Sequence, residues 1–212
     1  MTPVERFLES EIADGSFPGA AALVGTADAV LEVATAGAAV VEPESRAVSP
    51  DTLFDLASLT KPLCVGALFA AAANALPLDA PPGRFLPEWK KTRFDGITLE
   101  HLLTHTSGLS AWYPLYVRGE GAAAYRRTLS EMEPEAPPGQ RVLYSDLNFL
   151  LLTQILEGSL AGSLDRLFRD LVAAPAGSAL GFLPPPGAPT AATEKDDRFE
   201  RVMTEARGLA YA

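Results

Sequence analysis

A single cysteine, Cys64, two histidines and four lysines among 212 residues remove several explanations at once. One cysteine excludes an internal disulfide and fits a reducing compartment. Two histidines leave little from which to build a metal centre. Scarce lysine, with Asp+Glu 27 against Lys+Arg 17 and a net charge of −10, argues against nucleic acid and against anionic membrane surfaces as partners. No uninterrupted apolar run reaches the roughly 18 residues that a spanning helix needs. The N-terminal stretch "MTPVERFLESEIADG" carries Glu5, Glu9 and Glu11 where a secretory leader has a basic segment and an apolar run. A cytoplasmic location is the expectation.

What is present is an ordinary globular composition, 48% hydrophobic and 21% charged, enough for one large domain or two small ones. Apolar positions 4, 7, 8 and 12 with acids between them predict an amphipathic helix over Val4 to Ala13. "AAALVGTA" and "AVLEVATAG", separated around Asp28, read as a hairpin, although alanine is a weak strand former. "VEPESRAVSPDT" reads as a loop. A helix is expected from Leu59 to about Ala75, with Pro62 in its first turn. Another follows Thr98, a candidate cap, and ends at Gly108. Residues 121–133 and 146–158 are further helical candidates, and the segment from Ala174 on reads as loop followed by a charged run. Two strands do not make a stable sheet, so partners for them are expected outside this chain.

Lys61 stands three residues after Ser58 at the start of an apolar helix. Residues i and i+3 share a helix face, which brings a hydroxyl and an amine within hydrogen-bond reach. A partly buried lysine with a lowered pKa can then serve as base for a serine nucleophile, beside backbone N–H groups at the helix start. The same pair also fits an N-cap serine and a lysine that snorkels to water. Tyr144 lies between a Pro-Gly turn and an apolar helix, where a phenol can either shuttle protons or simply pack. Asp146 fits an N-cap.

His101 and His105, spaced i, i+4, could share a zinc ion. There is no H-E-x-x-H and no further histidine for a third ligand, and neither metal nor cofactor is expected. Cys64, among Leu63, Val65 and Leu68, reads as a small core residue.

Taken together and in order, "FDLASLTKPL", "LPLDAPPGRFLPEW", "ITLEHLLTHTSGL" and "PPGQRVLYSDLNFLLL" resemble the penicillin-recognising serine hydrolases. The closer likeness is to the branch of class C β-lactamases, DD-peptidases and β-lactamase-fold esterases. The resemblance runs from about Phe17 to Ala192. It implies an α+β, β-lactamase-like fold: an antiparallel sheet flanked by helices, an inserted helical region and an active site in between. On that pattern residues 1–59 hold the first helix and strands, 60–203 the helical region, and 204–212 a C-terminal end that stops before the remaining strands.

The resemblance implies catalysis through an acyl-enzyme on Ser58. Lys61 takes the serine proton, Tyr144 relays a proton to the leaving group, and the Ser58 N–H forms half of an oxyanion hole. Asp146, Asn148, Trp112 and Tyr113 are the expected substrate contacts. Two departures stand out. Tyr144-Ser145-Asp146 carries Asp where many relatives have Asn, and an ionised Asp only accepts hydrogen bonds and favours a charged Lys61. Both effects favour esters over β-lactams or peptides, with Asn148 a candidate to compensate. No Lys-Thr-Gly and no histidine follows Tyr144. The expected function is therefore a serine hydrolase of small esters or amides that needs strands from a longer parent or a second polypeptide. The alternative is a non-catalytic fragment serving as a binding or scaffold module, with an exposed sheet edge.

Overall fold

The computed structural model describes residues 1–90, 92–94 and 96–210. Tyr211 and Ala212, at the end of the expected segment 204–212, lie outside the described residues. The chain forms two compact units. One comprises Met1–Leu56 with Leu183–Asp196, and the other Ala57–Phe182 with the described residues from Asp197 on.

The first unit opens with α1 (Pro3–Ala13), fixed at its start by a capping box. Thr2 Oγ1 accepts from Glu5 N–H while the Glu5 carboxylate accepts from Thr2 N–H at 2.8 Å. The expected hairpin follows as β1 (Gly19–Gly25) and β2 (Val30–Val40), antiparallel, with Leu23 opposite Val33 and Ala22 opposite Ala34. Its alanines form strands because tertiary fit overrides their weak propensity. α1 packs on β2, and Ala34 and Leu8 are buried. Small side chains allow this close approach. At Gly37, whose φ is +71°, a Cβ would stand 2.3 Å from the Pro18 carbonyl oxygen and 2.8 Å from Ile12 Cδ1.

Side chains alternate across a strand, so Leu23, Leu31 and Val33 project to the face opposite Ala34, and all three are exposed. β3 (Arg46–Ala47), two residues inside the segment expected to be a loop, pairs with β2 and completes the order β1-β2-β3.

Residues 183–196, which the resemblance assigns to the helical region, group instead with this first unit. The reason is backbone pairing: Leu53 N–H donates to Pro189 O, Ala191 N–H to Leu53 O and Ala192 N–H to Ala39 O. A proline-rich stretch thus uses its remaining donors and its carbonyls at a strand edge.

The second unit is built around α5 (Asp146–Leu160). Leu147, Leu151, Leu152, Ile155 and Leu156 recur at helical spacing and are buried, packed with Leu68, Leu99, Leu102 and Leu129. α2 (Ala57–Ala71) starts with a 3-10 turn at Ala57–Leu59. It continues as a π-turn over Lys61–Gly66 and finishes as α-helix over Ala67–Ala71, short of the expected Ala75. Pro62 sits in that π-turn, where its missing N–H is tolerated. π-turns are rare and recur at functional sites.

α3 (Leu99–Leu103) is capped by Thr98 as expected but ends at Thr104 rather than Gly108. Gly108 has a different task. Its φ is +86°, and a Cβ there would lie 2.0 Å from Ala136 O, while its own carbonyl accepts from Glu135 N–H at 2.8 Å. α4 (Gly121–Glu131) follows, and α6 (Leu164–Ala173) and α7 (Arg198–Glu205) occupy stretches for which the sequence pattern predicts no helix. Between α2 and α3 the proline-rich segment forms 3-10 turns at Pro82–Arg84 and Pro87–Trp89. Among the described residues no single helix is long and apolar enough to cross a membrane.

Candidate active site

Ser58 lies in the opening 3-10 turn of α2, directly after Ala57, whose φ of +44° is rare for a residue with a Cβ. One turn later Lys61 projects from the same face, and its Nζ donates to Ser58 Oγ at 2.9 Å. From the start of α5, Asp146 Oδ1 accepts from the same Nζ at 2.6 Å. Tyr144, two residues before α5, sets its ring beside the same cation, with Lys61 Nζ 4.9 Å from the ring centre, and its phenol interacts with both Ser58 and Lys61. An ammonium has three N–H donors and no acceptor. Two of them have oxygen partners, Ser58 at 2.9 Å and Asp146 at 2.6 Å.

The charges follow from this arrangement. Burial alone lowers the Lys61 pKa, but hydrogen bonds to Asp146 and Tyr144 and their negative charge outweigh it and leave it above its ordinary value of 10.5. The sequence-based expectation of a lysine tuned downward to act as base is thereby corrected: Asp146 holds it as a cation. Tyr144 moves the other way. Hydrogen bonds from Ser58 and then Lys61 stabilise its phenolate and hold its pKa below 10.0.

A cleft of about 400 Å³ opens beside Ser58 and Lys61, walled by Val65, Trp112, Tyr113, Phe149 and Leu150. Trp112 and Tyr113, expected as substrate contacts, both line this cleft. Asp146 reaches the cleft too, but its carboxylate is engaged by Lys61. Asn148 does not reach it. Two residues along a helix from Asp146 is about 200° around the axis, and Asn148 is fully buried, its Oδ1 accepting from Ser107 Oγ at 2.6 Å. A substrate contact or compensating amide at this position is therefore corrected to a structural one.

The two histidines do not share a ligand site. His101 Nδ1 accepts from Thr98 N–H within the cap of α3, and His105 Nδ1 accepts from Ser145 N–H at 2.9 Å. Cys64 is buried, and burial pushes its thiol up to about 11. The residues that sequence reasoning misses are Ser107, Ser145 and His105, which join the 105–110 loop to the start of α5. Ser145 Oγ donates to Ser110 O at 2.6 Å and also accepts from Asn148 N–H. Their signal in the sequence is that all three fall in stretches that carry the resemblance, His105 and Ser107 in "HLLTHTSGL" and Ser145 in "VLYSDLN".

The overall fold is that of class C beta-lactamases: one such structure matches with a TM-score of 0.76 at 23% identity, covering 89% of this chain and 53% of that one. The family model described as Beta-lactamase matches residues 4–211, and the chain belongs to that family. Among its relatives, the esterase EstB of Burkholderia gladioli is 43% identical over 91 residues, 41% of this chain and 22% of the relative. A beta-lactamase of Providencia stuartii is 33% identical over 108 residues, 50% of this chain and 27% of the relative. EstCE1, a hydrolase with promiscuous acyltransferase activity, matches with a TM-score of 0.75 at 25% identity, covering 89% of this chain and 54% of that one. The chain thus spans about half the length of the solved structures it matches, and its matched stretches about a quarter of the curated relatives.

Proposed function

We propose that this chain carries the nucleophile of a serine hydrolase that works through an acyl-enzyme on Ser58. The observation that carries this reading is the arrangement at Ser58 Oγ, which accepts from the Lys61 ammonium at 2.9 Å, with the ring of Tyr144 beside that cation and its phenol pKa lowered by Ser58 and Lys61. Ser58 Oγ attacks a carbonyl carbon, whose π pair moves to the carbonyl oxygen, and the serine proton passes to Tyr144 in its phenolate form. Lys61 remains charged and stabilises the phenolate. Tyr144 then returns the proton to the leaving group as the carbonyl bond to it breaks, and water releases the acyl group. The Ser58 N–H supplies one oxyanion donor. In this scheme Tyr144, not Lys61, is the base.

The preferred substrate is a neutral ester with an apolar acyl group. The cleft wall is mostly apolar, and its cation and carboxylate are paired with one another. Asp146 offers no N–H to a substrate amide. Replacing it with asparagine restores such a donor and removes the carboxylate that keeps Lys61 charged and raises the Tyr144 pKa. Asp146→Asn is expected to improve amide relative to ester turnover on the order of tenfold, the equivalent of one pKa unit. A ratio unchanged or lowered, measured with matched ester and anilide substrates, overturns this role of Asp146.

The reading includes a partner: further strands, on a second polypeptide or a longer parent chain, packed against the first unit. It is supported by the unmatched half of the solved relatives and by the exposed apolar pair Leu23 and Val33. Intact-mass spectrometry before and after a fluorophosphonate probe tests the chemistry. One adduct per chain is expected, absent in Ser58→Ala. A folded chain that stays unlabelled, alone and after mixing with its partner, leaves the scaffold reading instead.

A further inference from the structure

We propose that His105 is the positioning residue that holds Tyr144 at Ser58, by accepting from the backbone N–H groups of the residues on both sides of it, Leu143 and Ser145, and packing against its ring. For its consequence in catalysis this rests on the acyl-enzyme reading above; the geometry and the phenol titration below do not.

Tyr144 needs to be held. It lies in an irregular stretch, residues 141–145, and its side chain is 54% exposed, so burial does not fix it. His105 comes just after α3 with a φ of +58°, a left-handed conformation in which histidine is one of the few residues found with any frequency. That turn lets one residue grip twice. Its backbone carbonyl accepts from Leu143 N–H at 2.8 Å, and its ring Nδ1 accepts from Ser145 N–H at 2.9 Å. The imidazole centre lies 4.5 Å from the Tyr144 ring and 5.2 Å from that of Phe149. Residues 143 and 145 are thus both tied to His105, and the phenol between them rests on its ring.

Because Nδ1 is an acceptor, the imidazole is neutral with its proton on Nε2. A second proton would be placed at Nδ1, against Ser145 N–H and the Asn148 amide nitrogen 3.5 Å away. The charged and titratable groups around it are Lys61 from α2, Asp146 from α5 and Tyr144. Burial first, then the Lys61 charge, lower the His105 pKa below 6.5, and Asp146 opposes them. A depressed pKa makes the contribution of this grip complete above the unfolded value near 6.5, with loss as pH falls through the lower folded value.

The test follows Tyr144 itself by the NMR shift of its 13Cζ, assigned with Tyr144→Phe, in wild type, His105→Gly and His105→Asn. Glycine keeps the left-handed backbone and loses the ring, whereas asparagine tolerates that backbone and keeps a short acceptor. In wild type Tyr144 is expected to titrate below 10.0. In His105→Gly it should move back toward 10, with Ser58 labelling slowed at least about tenfold and partly rescued in His105→Asn. A Tyr144 titration that is the same in all three proteins overturns the proposal. If the variants fail to fold, the wild type decides. Its Ser145 amide resonance must titrate together with the His105 imidazole, below 6.5, and an amide that ignores that titration overturns the proposal equally. Absence of Ser58 labelling in wild type, by contrast, sinks the hydrolase reading and leaves the Tyr144 titration to judge His105.

Discussion

Tyr144→Phe is expected to slow acylation of Ser58 by about 10²- to 10⁴-fold, the range contributed by a positioned acid–base group. The substitution keeps the ring and its contact with His105, and removes only the oxygen that Ser58 and Lys61 share. The pH dependence distinguishes the two candidate bases. If Tyr144 takes the proton, labelling of wild type rises with pH through its depressed value, below 10.0, and levels off above it. Were Lys61 the base, the rise would come above 10.5, because its pKa is raised. In Tyr144→Phe the rise below 10 should be absent. A variant that labels at the wild-type rate with the wild-type profile removes Tyr144 from the mechanism.

The second large effect is expected at Lys61. Lys61→Met deletes the cation bonded to Ser58 and Asp146 and leaves the Asp146 charge beside Tyr144, where it raises the phenol's pKa. The expected loss in labelling rate is about 10²–10³-fold, comparable to deleting one preorganised donor at a reacting oxygen. Lys61→Arg is the informative companion. A guanidinium stays charged at any accessible pH and cannot take a proton from serine. If Lys61 acts only as a cation, Lys61→Arg should label measurably faster than Lys61→Met, provided Tyr144 still titrates below 10. An arginine variant that keeps that low titration yet labels no faster than the methionine one shows that a neutral lysine is required.

How much of this could be read from the sequence depends on how local the determinant is. Ser58 and Lys61 meet because i, i+3 residues on a helix always share a face, and the bond at 2.9 Å lies where that spacing places it. The cap at Thr98 and the buried stripe of α5 were legible for the same reason. Asn148 could have been set aside by helical geometry alone, since it lies nearly opposite Asp146 around the axis. The charge state of Lys61 is less local. The Asp at position 146 announced it, but the 2.6 Å contact depends on how α2 packs against α5. Nothing in the pattern around residues 183–196 announces pairing with Leu53 and Ala39, because prolines mask the alternation that marks a strand. His105 is the extreme case, since its partners lie some 40 positions on and its backbone conformation leaves no mark in composition.

That distance has a kinetic meaning. The bonds that tie the 105–110 loop to residues 143–148 close over sequence separations of 35 to 43 residues. Ordering a loop of that length costs entropy before any contact rewards it, whereas a helical turn forms from neighbours. During refolding, helical signal therefore arrives before a competent Ser58. A serine probe reports the last closure of this unit rather than its first collapse, so reactivity is a stricter measure of native order here than helix content.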